Sequence, residues 1–222
     1  MKKVHVVVGC MLVWAATCGA NPPPPIQVVE RAAEVIDDLN RIPARGIPAK
    51  LLTEAQAVAI VPHVIKAGFI IGGRMGHGLV LTRNAQGHWS EPTFVTLGGA
   101  SLGFQAGVQA TDVVLVFKKK DALDRVLAGR GKLTLGADAA VAAGPVGREA
   151  AAGTDVTLES EIYSYSRSRG LFAGVSLSGA ALVADETNNA RYTQGKSPEL
   201  VNAIAQLTLK LHQLSQAKAD PK

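Results

Sequence analysis

The chain has 222 residues, 47% of them hydrophobic and 18% charged, enough to bury one core of ordinary size and too few for two. Its 23 Gly stand against five Phe, three Tyr and two Trp, too few aromatics for the girdles of a transmembrane barrel. A formal charge of +5, with no basic run longer than Lys118-Lys119-Lys120, argues against tight binding to a nucleic acid backbone.

Lys2 and Lys3 precede an apolar stretch over residues 4–16, too short to span a bilayer but of the length expected for the hydrophobic region of a secretory signal. Residues 1–17 therefore read as a signal peptide. Both cysteines, Cys10 and Cys18, belong to this region, so the exported body holds no pair for an internal disulfide. Ala15-Ala16-Thr17-Cys18 is similar to the lipobox of bacterial lipoproteins, in which cleavage precedes the cysteine and its thiol is acylated. Two outcomes fit the letters: lipidation at Cys18, or plain cleavage near Ala20. With acylation, Gly19 in place of the Asp that retains lipoproteins at the inner membrane points to an anchor in the outer membrane, facing the periplasm. Pro22 to Pro25 favour an extended polyproline spacer. Residues 18–25 thus read as a lipidated cysteine and tether, 26–216 as the folded domain and 217–222 as a tail.

Ile26, Val29, Ala33, Ile36 and Leu39 recur at spacings of three and four, which predicts an amphipathic helix ending before Pro43. Its outer face, with Glu30, Glu34, Asp37 and Asp38, is acidic and lacks the basic character of a helix lying on anionic lipid. Thr53 is expected to cap a second short helix running to Ala59. Residues 64–118 alternate β-branched residues with glycines and predict sheet, interrupted by turns at residues 84–87 and near Gly98-Gly99. Gly68, Gly72, Gly73, Gly76 and Gly78 mark strand bends or close backbone approaches. The run Asp112-Val113-Val114-Leu115-Val116-Phe117 has the continuous apolar character of a central strand covered on both faces.

A short helix over residues 121–128 is stopped by Gly129. Residues 133–143 are rich in alanine and valine, and residues 144–147 are a turn or loop. A second sheet section starts near Val156. From Glu161, a period of two sets Tyr163, Tyr165, Arg167 and Arg169 on one face and Ile162, Ser164, Ser166 and Ser168 on the other. Gly170 permits a reversal into residues 171–183, giving a hairpin. Leu200, Ile204, Leu207, Leu211 and Leu214 form the stripe of a closing helix over residues 198–214. Strands in the middle with helices at both ends predict an α+β fold, one domain built on a mainly antiparallel, glycine-rich sheet.

Chemical motifs are suggested and then refused by their context. Gly99-Ala100-Ser101-Leu102-Gly103 satisfies G-x-S-x-G, but a nucleophile elbow needs a helix after the serine, and a glycine-punctuated extended stretch follows instead. The histidine that such a site needs downstream is represented by His212 alone, on the closing helix. Gly195-Lys196-Ser197 has the ending of a phosphate loop without its opening glycine or its strand, so it reads as a turn connecting helices. His63, His77 and His88 lack metal-ligand spacing. No enzyme activity, cofactor or metal is expected.

Several stretches together resemble the SYLF domain family, the Ysc84-type actin-binding domain of eukaryotes, which also occurs in bacterial exported lipoproteins. They are Lys66-Ala67-Gly68-Phe69, the glycine cluster of residues 72–78, Trp89-Ser90-Glu91-Pro92, residues 103–107, Thr111 to Phe117, Leu135-Gly136-Ala137-Asp138, residues 142–148 and residues 162–175. The resemblance covers about residues 50–193 in order. It implies a non-enzymatic domain that binds phospholipid, with phosphoinositides and actin filaments as partners in eukaryotic members. Export makes actin an unlikely partner here, so the expected partner is a phospholipid membrane.

The face bearing Tyr163, Tyr165, Arg167 and Arg169 is the first candidate for a headgroup site, because guanidinium forks match phosphate oxygens and tyrosines tolerate a wet interface. The alternative is that the tyrosines pack under a covering helix and the arginines are ordinary solvated charges. Lys118, Lys119 and Lys120 are the second candidate, with a solvated helix start, offset by Asp121 and Asp124, as the competing reading. The rival to lipid recognition as a whole is a structural or protein-interaction role in the envelope, through an exposed strand edge.

Overall fold

The computed structural model describes residues 21–41, 46–144, 160–168, 171–174, 177 and 179–216, and for 39–40, 68–71, 101–107, 168 and 171–174 it describes the backbone alone. The expected signal peptide, Cys18, the loop from residue 145, the sheet start near Val156, Arg169, Gly170 and the tail lie outside the described residues.

Helix α1, Pro25–Arg41, follows from its spacing, with Val28, Val29, Ala32, Val35 and Ile36 all buried. Pro25 is its first residue, where a missing amide hydrogen costs nothing. The residues before it lie against the domain. The carbonyl of Pro23 accepts from Asn188 Nδ2 at 2.9 Å and that of Pro22 from an Arg191 guanidinium nitrogen at 3.2 Å. Helix α2 is shorter and earlier than expected, Ala49–Glu54. Thr53 sits in its last turn, where its hydroxyl bonds to the carbonyls of Ala49 (2.9 Å) and Ser215 (2.5 Å). From Ala57 the chain is strand, because Ala57, Val58, Ala59, Ile60 and Val61 are all buried, burial that covers both faces of an extended chain.

Strands β1, Ala57–Thr82, and β2, Thr93–Phe117, form one long antiparallel hairpin. Its turn is where residues 84–87 predict it: Asn84 Oδ1 accepts from the amides of Gln86 and His88, and Gly87 has φ 82. Gly98 and Gly99 make no turn. They are paired within the ladder to Met75 and Arg74, and a side chain on Gly99 would press on Ala180 Cα at 3.0 Å.

A 3-10 turn, Asp121–Leu123, leads into α3, Asp124–Leu127, and Gly129, at φ 66, ends it as expected. Strands β3 (Lys132–Thr134), β4 (Val141–Ala143), β5 (Ile162–Ser168), β6 (Leu171–Gly174) and β7 (Ala181–Ala184) complete a seven-stranded sheet among the described residues. β2 is its axis. Beside β1 it pairs with β7 over residues 95–98 and with β5 over residues 112–117. The expected hairpin after β5 extends only through β6, and β7 departs to join β2 and β3. β4 alone runs parallel to its neighbour, β5. Helix α4, Glu186–Gln194, is the one that the turn at Gly195-Lys196-Ser197 connects to the closing helix; no apolar stripe marks its range, since only Asn188 and Tyr192 are buried on it. Asn189 fixes it by bonding both the amide and the carbonyl of Phe94, at 2.8 and 2.9 Å. Helix α5, Pro198–Gln216, closes the chain and buries Leu200, Leu207, Leu211 and Leu214.

The sheet is covered on both sides, which confirms residues 112–117 as a central strand. Val114 and Val116 face a core shared with α1, α2 and α5, together with Val58, Ile60, Leu79 and Phe94. Val113, Leu115 and Phe117 face a second core, with Leu97, Leu123, Val126, Leu133 and Leu182.

β1 is too long to lie flat and doubles back on itself. The Arg83 amide, just past its end, donates to the carbonyl of Gln56, just before its start, at 2.7 Å. Gly76 lies against Val64 and Val61, and Gly78 against the Ile60 carbonyl and Val61, so closely that a Cβ on either would overlap these atoms. Two of the five glycines expected to mark bends or close approaches are therefore where one arm of the ribbon meets the other.

Candidate functional site

The period of two read from Glu161 is correct, but both faces of β5 are used inward. Tyr163 and Tyr165 are 4% and 0% exposed and belong to the core beneath the helices. The Tyr163 hydroxyl accepts from the Ser160 amide at 3.2 Å. Gly144 lies so close to the Tyr165 ring that any side chain there would overlap it. Burial, with a smaller contribution from Tyr163, pushes the Tyr165 phenol far above its ordinary pKa. Arg167 donates from Nε to Asp112 Oδ2 at 2.9 Å and also pairs with Asp38 of α1. On the other face, Ser164 is fully buried and bonds the Ala142 carbonyl at 3.2 Å. The face proposed for a headgroup is thus the packed alternative at both tyrosines, and at Arg167 the acidic helix α1 supplies the anion. The cause is long-range: α1 covers this strand.

Lys118, Lys119 and Lys120 follow β2 directly. The Lys118 amide donates to the Glu161 carbonyl at 2.9 Å and its Nζ lies 3.9 Å from Glu54. Lys119 and Lys120 are exposed, and the Lys120 amide is held at 3.3 Å by Gln56. Acidic side chains therefore share this corner with the lysines.

Ser101 lies in mid-strand, with β2 continuing to Phe117, so the helix of a nucleophile elbow does not follow it. His212 is bonded to Gln216 at 2.7 Å on α5. Gly195-Lys196-Ser197 connects α4 to α5, and Lys196 is held by Glu91 at 2.6 Å and lies over the Tyr192 ring. His77 Nδ1 meets Asp185 Oδ2 at 3.1 Å. Among the described residues no three ligands gather to hold a metal ion.

The surface that the sequence did not single out is the doubled-back ribbon itself. Between residues 99 and 111, β1 is the sole described ladder partner of β2, so among the described residues the ribbon carries no further strand there. Among the described residues, three of the five exposed large hydrophobic residues belong to this ribbon: Ile65 at 50% exposure, Met75 at 41% and Val108 at 78%. The cations are Lys66, exposed, and Arg74, half-buried. No Asp or Glu occurs from Ala55 to Ser90, or from Pro92 to Thr111. That charge pattern was available in the sequence. What the sequence hid is that both stretches meet in one ribbon.

An α+β domain of this kind, with a long hairpin doubled back on itself and roofed by N- and C-terminal helices, defines the structural class. Within that class, the chain belongs to the Ysc84 family: the family model described as "Las17-binding protein actin regulator" matches residues 98–215. The SH3 domain-containing YSC84-like protein 1 of Xenopus laevis is 37% identical over 170 residues, which is 74% of this chain and 50% of that protein. The human protein of the same name is 36% identical over 171 residues, 74% of this chain and 49% of its own length. Protein YSC84 of Saccharomyces cerevisiae is 39% identical over 148 residues, 66% of this chain and 31% of that protein. The chain thus spans about half the length of the vertebrate relatives, and less of the yeast one. No solved structure matches it.

Proposed function

We propose that this chain is a non-enzymatic phospholipid-binding module of an exported envelope protein, held at the periplasmic side of the outer membrane through an acylated Cys18. The observation that carries the lipid reading is the ribbon surface, where exposed Ile65, Met75 and Val108 stand beside Lys66 and Arg74 with no carboxylate in the sequence around them. Apolar side chains gain by entering the acyl boundary, and cations gain from anionic headgroups. The ribbon works at headgroup depth, because no second ladder partner is described along residues 99–111, and backbone groups without a partner are not tolerated in hydrocarbon. Export and anchoring are supported by the signal-like residues 1–17 and the lipobox-like residues 15–18.

Sedimentation with vesicles tests this. The unacylated chain from Asn21, which contains every described element, should pellet with phosphatidylglycerol vesicles and be released by salt, as a Coulombic contact at the surface requires. The edges of the same ribbon, which carry no further strand among the described residues, favour one rival, a scaffold that pairs with another protein. A discrete oligomer with no vesicle binding would select it. The family description names actin regulation, so co-sedimentation with actin filaments is the matching control; export would keep this chain from actin.

A further inference from the structure

We infer that the inside of the doubled-back ribbon, between Arg74 on one arm and Lys66 on the other, receives the phosphate diester of a glycerophospholipid headgroup. This rests on the membrane reading above and names the group that recognises the lipid.

Side chains two apart on a strand share a face. Val64 and Gly76 touch across the fold-back, so the face they share is its inner one. Lys66 and Arg74 are the next residues on that face, each one step closer to the bend, and Ile65 and Met75 fall on the outer face with Val108. On the arm after the bend the exposure follows this sorting, since Arg74 is half-buried with its Nε wholly covered and Met75 is open; on the other arm Lys66 and Ile65 are both exposed.

Arg74 is also the arginine whose needs the described residues leave unmet. Its buried Nε has no hydrogen-bond partner, and among the described residues it forms no ion pair. Burial lowers its pKa with no opposing carboxylate, yet a guanidinium stays charged in a protein. The other arginines near the sheet are provided for. Arg167 has Asp112 and Asp38. Arg83, whose Nε is likewise covered, lies 4.3 Å over the Trp89 ring and donates to the Thr53 carbonyl at 2.6 Å. A covered guanidinium N–H without an acceptor is costly, and an incoming phosphate oxygen removes that cost with a charge-assisted contact to which the fork of the guanidinium is matched. Lys66 adds a point charge from the opposite arm. The outer apolar residues set the depth at which the phosphate is met.

The experiment compares wild type, Arg74→Gln, Arg74→Lys and Lys66→Gln in the unacylated chain from Asn21, each checked for an unchanged thermal midpoint. Binding to phosphatidylglycerol vesicles should fall roughly tenfold or more in Arg74→Gln, the effect of losing one charge-assisted contact. It should recover in part in Arg74→Lys, and the salt dependence should become shallower in both neutral variants. Wild-type binding that is salt-sensitive but unchanged in Arg74→Gln would overturn this inference and leave the membrane reading standing. Failure of the wild type to bind any vesicle would end both. If soluble glycerophosphoglycerol displaced the protein at concentrations that leave the vesicles intact, the site would belong to free phosphate esters and the lipid assignment would fall.

Discussion

Asp112 and Arg167 are directly opposed across the β2–β5 ladder, and their side chains join them a second time, with Nε of Arg167 at 2.9 Å from Asp112 Oδ2. The other carboxylate oxygen accepts from the amide of His63 at 3.0 Å, beside the register shift where His63 takes φ 50. Arg167 extends the chain of contacts to Asp38. One buried carboxylate thus fastens three things: a strand pair, a backbone irregularity and, through Arg167, the covering helix.

Removing that carboxylate should therefore cost more than a surface ion pair. Asp112→Ala removes one carboxylate from a partly buried guanidinium and strips the His63 amide of its acceptor, so a loss of about 3 kcal/mol is expected, toward the lower end for breaking a buried pair. Urea denaturation measures it. A change below about 1 kcal/mol, the range of exposed pairs, would show the network to be ornamental.

The fold-back makes a sharper demand at Gly78. A Cβ there collides with backbone of the same strand, the Ile60 carbonyl and Val61 Cα, and neither can rotate away as a flexible side chain could. Gly78→Ala should destabilise by about 3 kcal/mol or more, at or beyond the usual cost of overpacking. Gly87→Ala, with open space around it but φ 82, should cost only about 1 kcal/mol, for its backbone conformation. Comparable losses in the two variants would contradict the close approach of the two arms.

Asp185 sets an acid limit. Burial alone would raise its pKa, but the hydrogen bonds from His77 and from the Asn188 amide, with the charge of His77, outweigh that and hold the carboxyl below its ordinary range. A depressed carboxylate contributes stability that is complete above its unfolded pKa, about 4, and is lost as pH falls through the folded value. The urea midpoint of wild type should fall as pH drops below about 4 more steeply than that of Asp185→Asn, which has no such proton to take up. Parallel curves would remove Asp185 from the account.

Val108 separates membrane contact from folding. It is 78% exposed, so Val108→Ser should change stability by less than about 0.5 kcal/mol. Its affinity for anionic vesicles should nevertheless fall several-fold, because one apolar side chain no longer enters the interface. Unaltered vesicle binding in this variant together with Met75→Ser would move the contact surface off the ribbon.

Local patterns carried much of the fold into the letters. The spacing of Val29 and Ile36 gave α1, that of Leu200, Leu207, Leu211 and Leu214 gave α5, and Asn84 with Gly87 located the hairpin turn. The apolar run at Val113 to Phe117 announced a strand covered on both sides. What escaped depended on distant partners. Residues 55–59 could extend a helix by propensity, and only the ladder to residues 115–117 makes 57–59 strand. Gly98-Gly99 has turn composition, but both residues lie in the β1–β2 ladder and Gly99 serves the approach of Ala180. Alternation at Tyr163, Tyr165 and Arg167 fixed which side chains share a face and could not tell that α1 lies over it. The ribbon surface is hidden for the same reason: Lys66 and Arg74 share an inner face only when a strand of 26 residues returns upon itself, and Val108 joins the ribbon only through its pairing with Ala67.

The prolines ahead of α1 carry a mechanical consequence. With the carbonyls of Pro22 and Pro23 captured by Arg191 and Asn188, the slack in any leash to Cys18 begins at Pro22, and four residues of fully stretched chain reach about 14 Å at most. A protein moored at that cysteine would ride close against its own bilayer, with little freedom to swing out and explore a facing one.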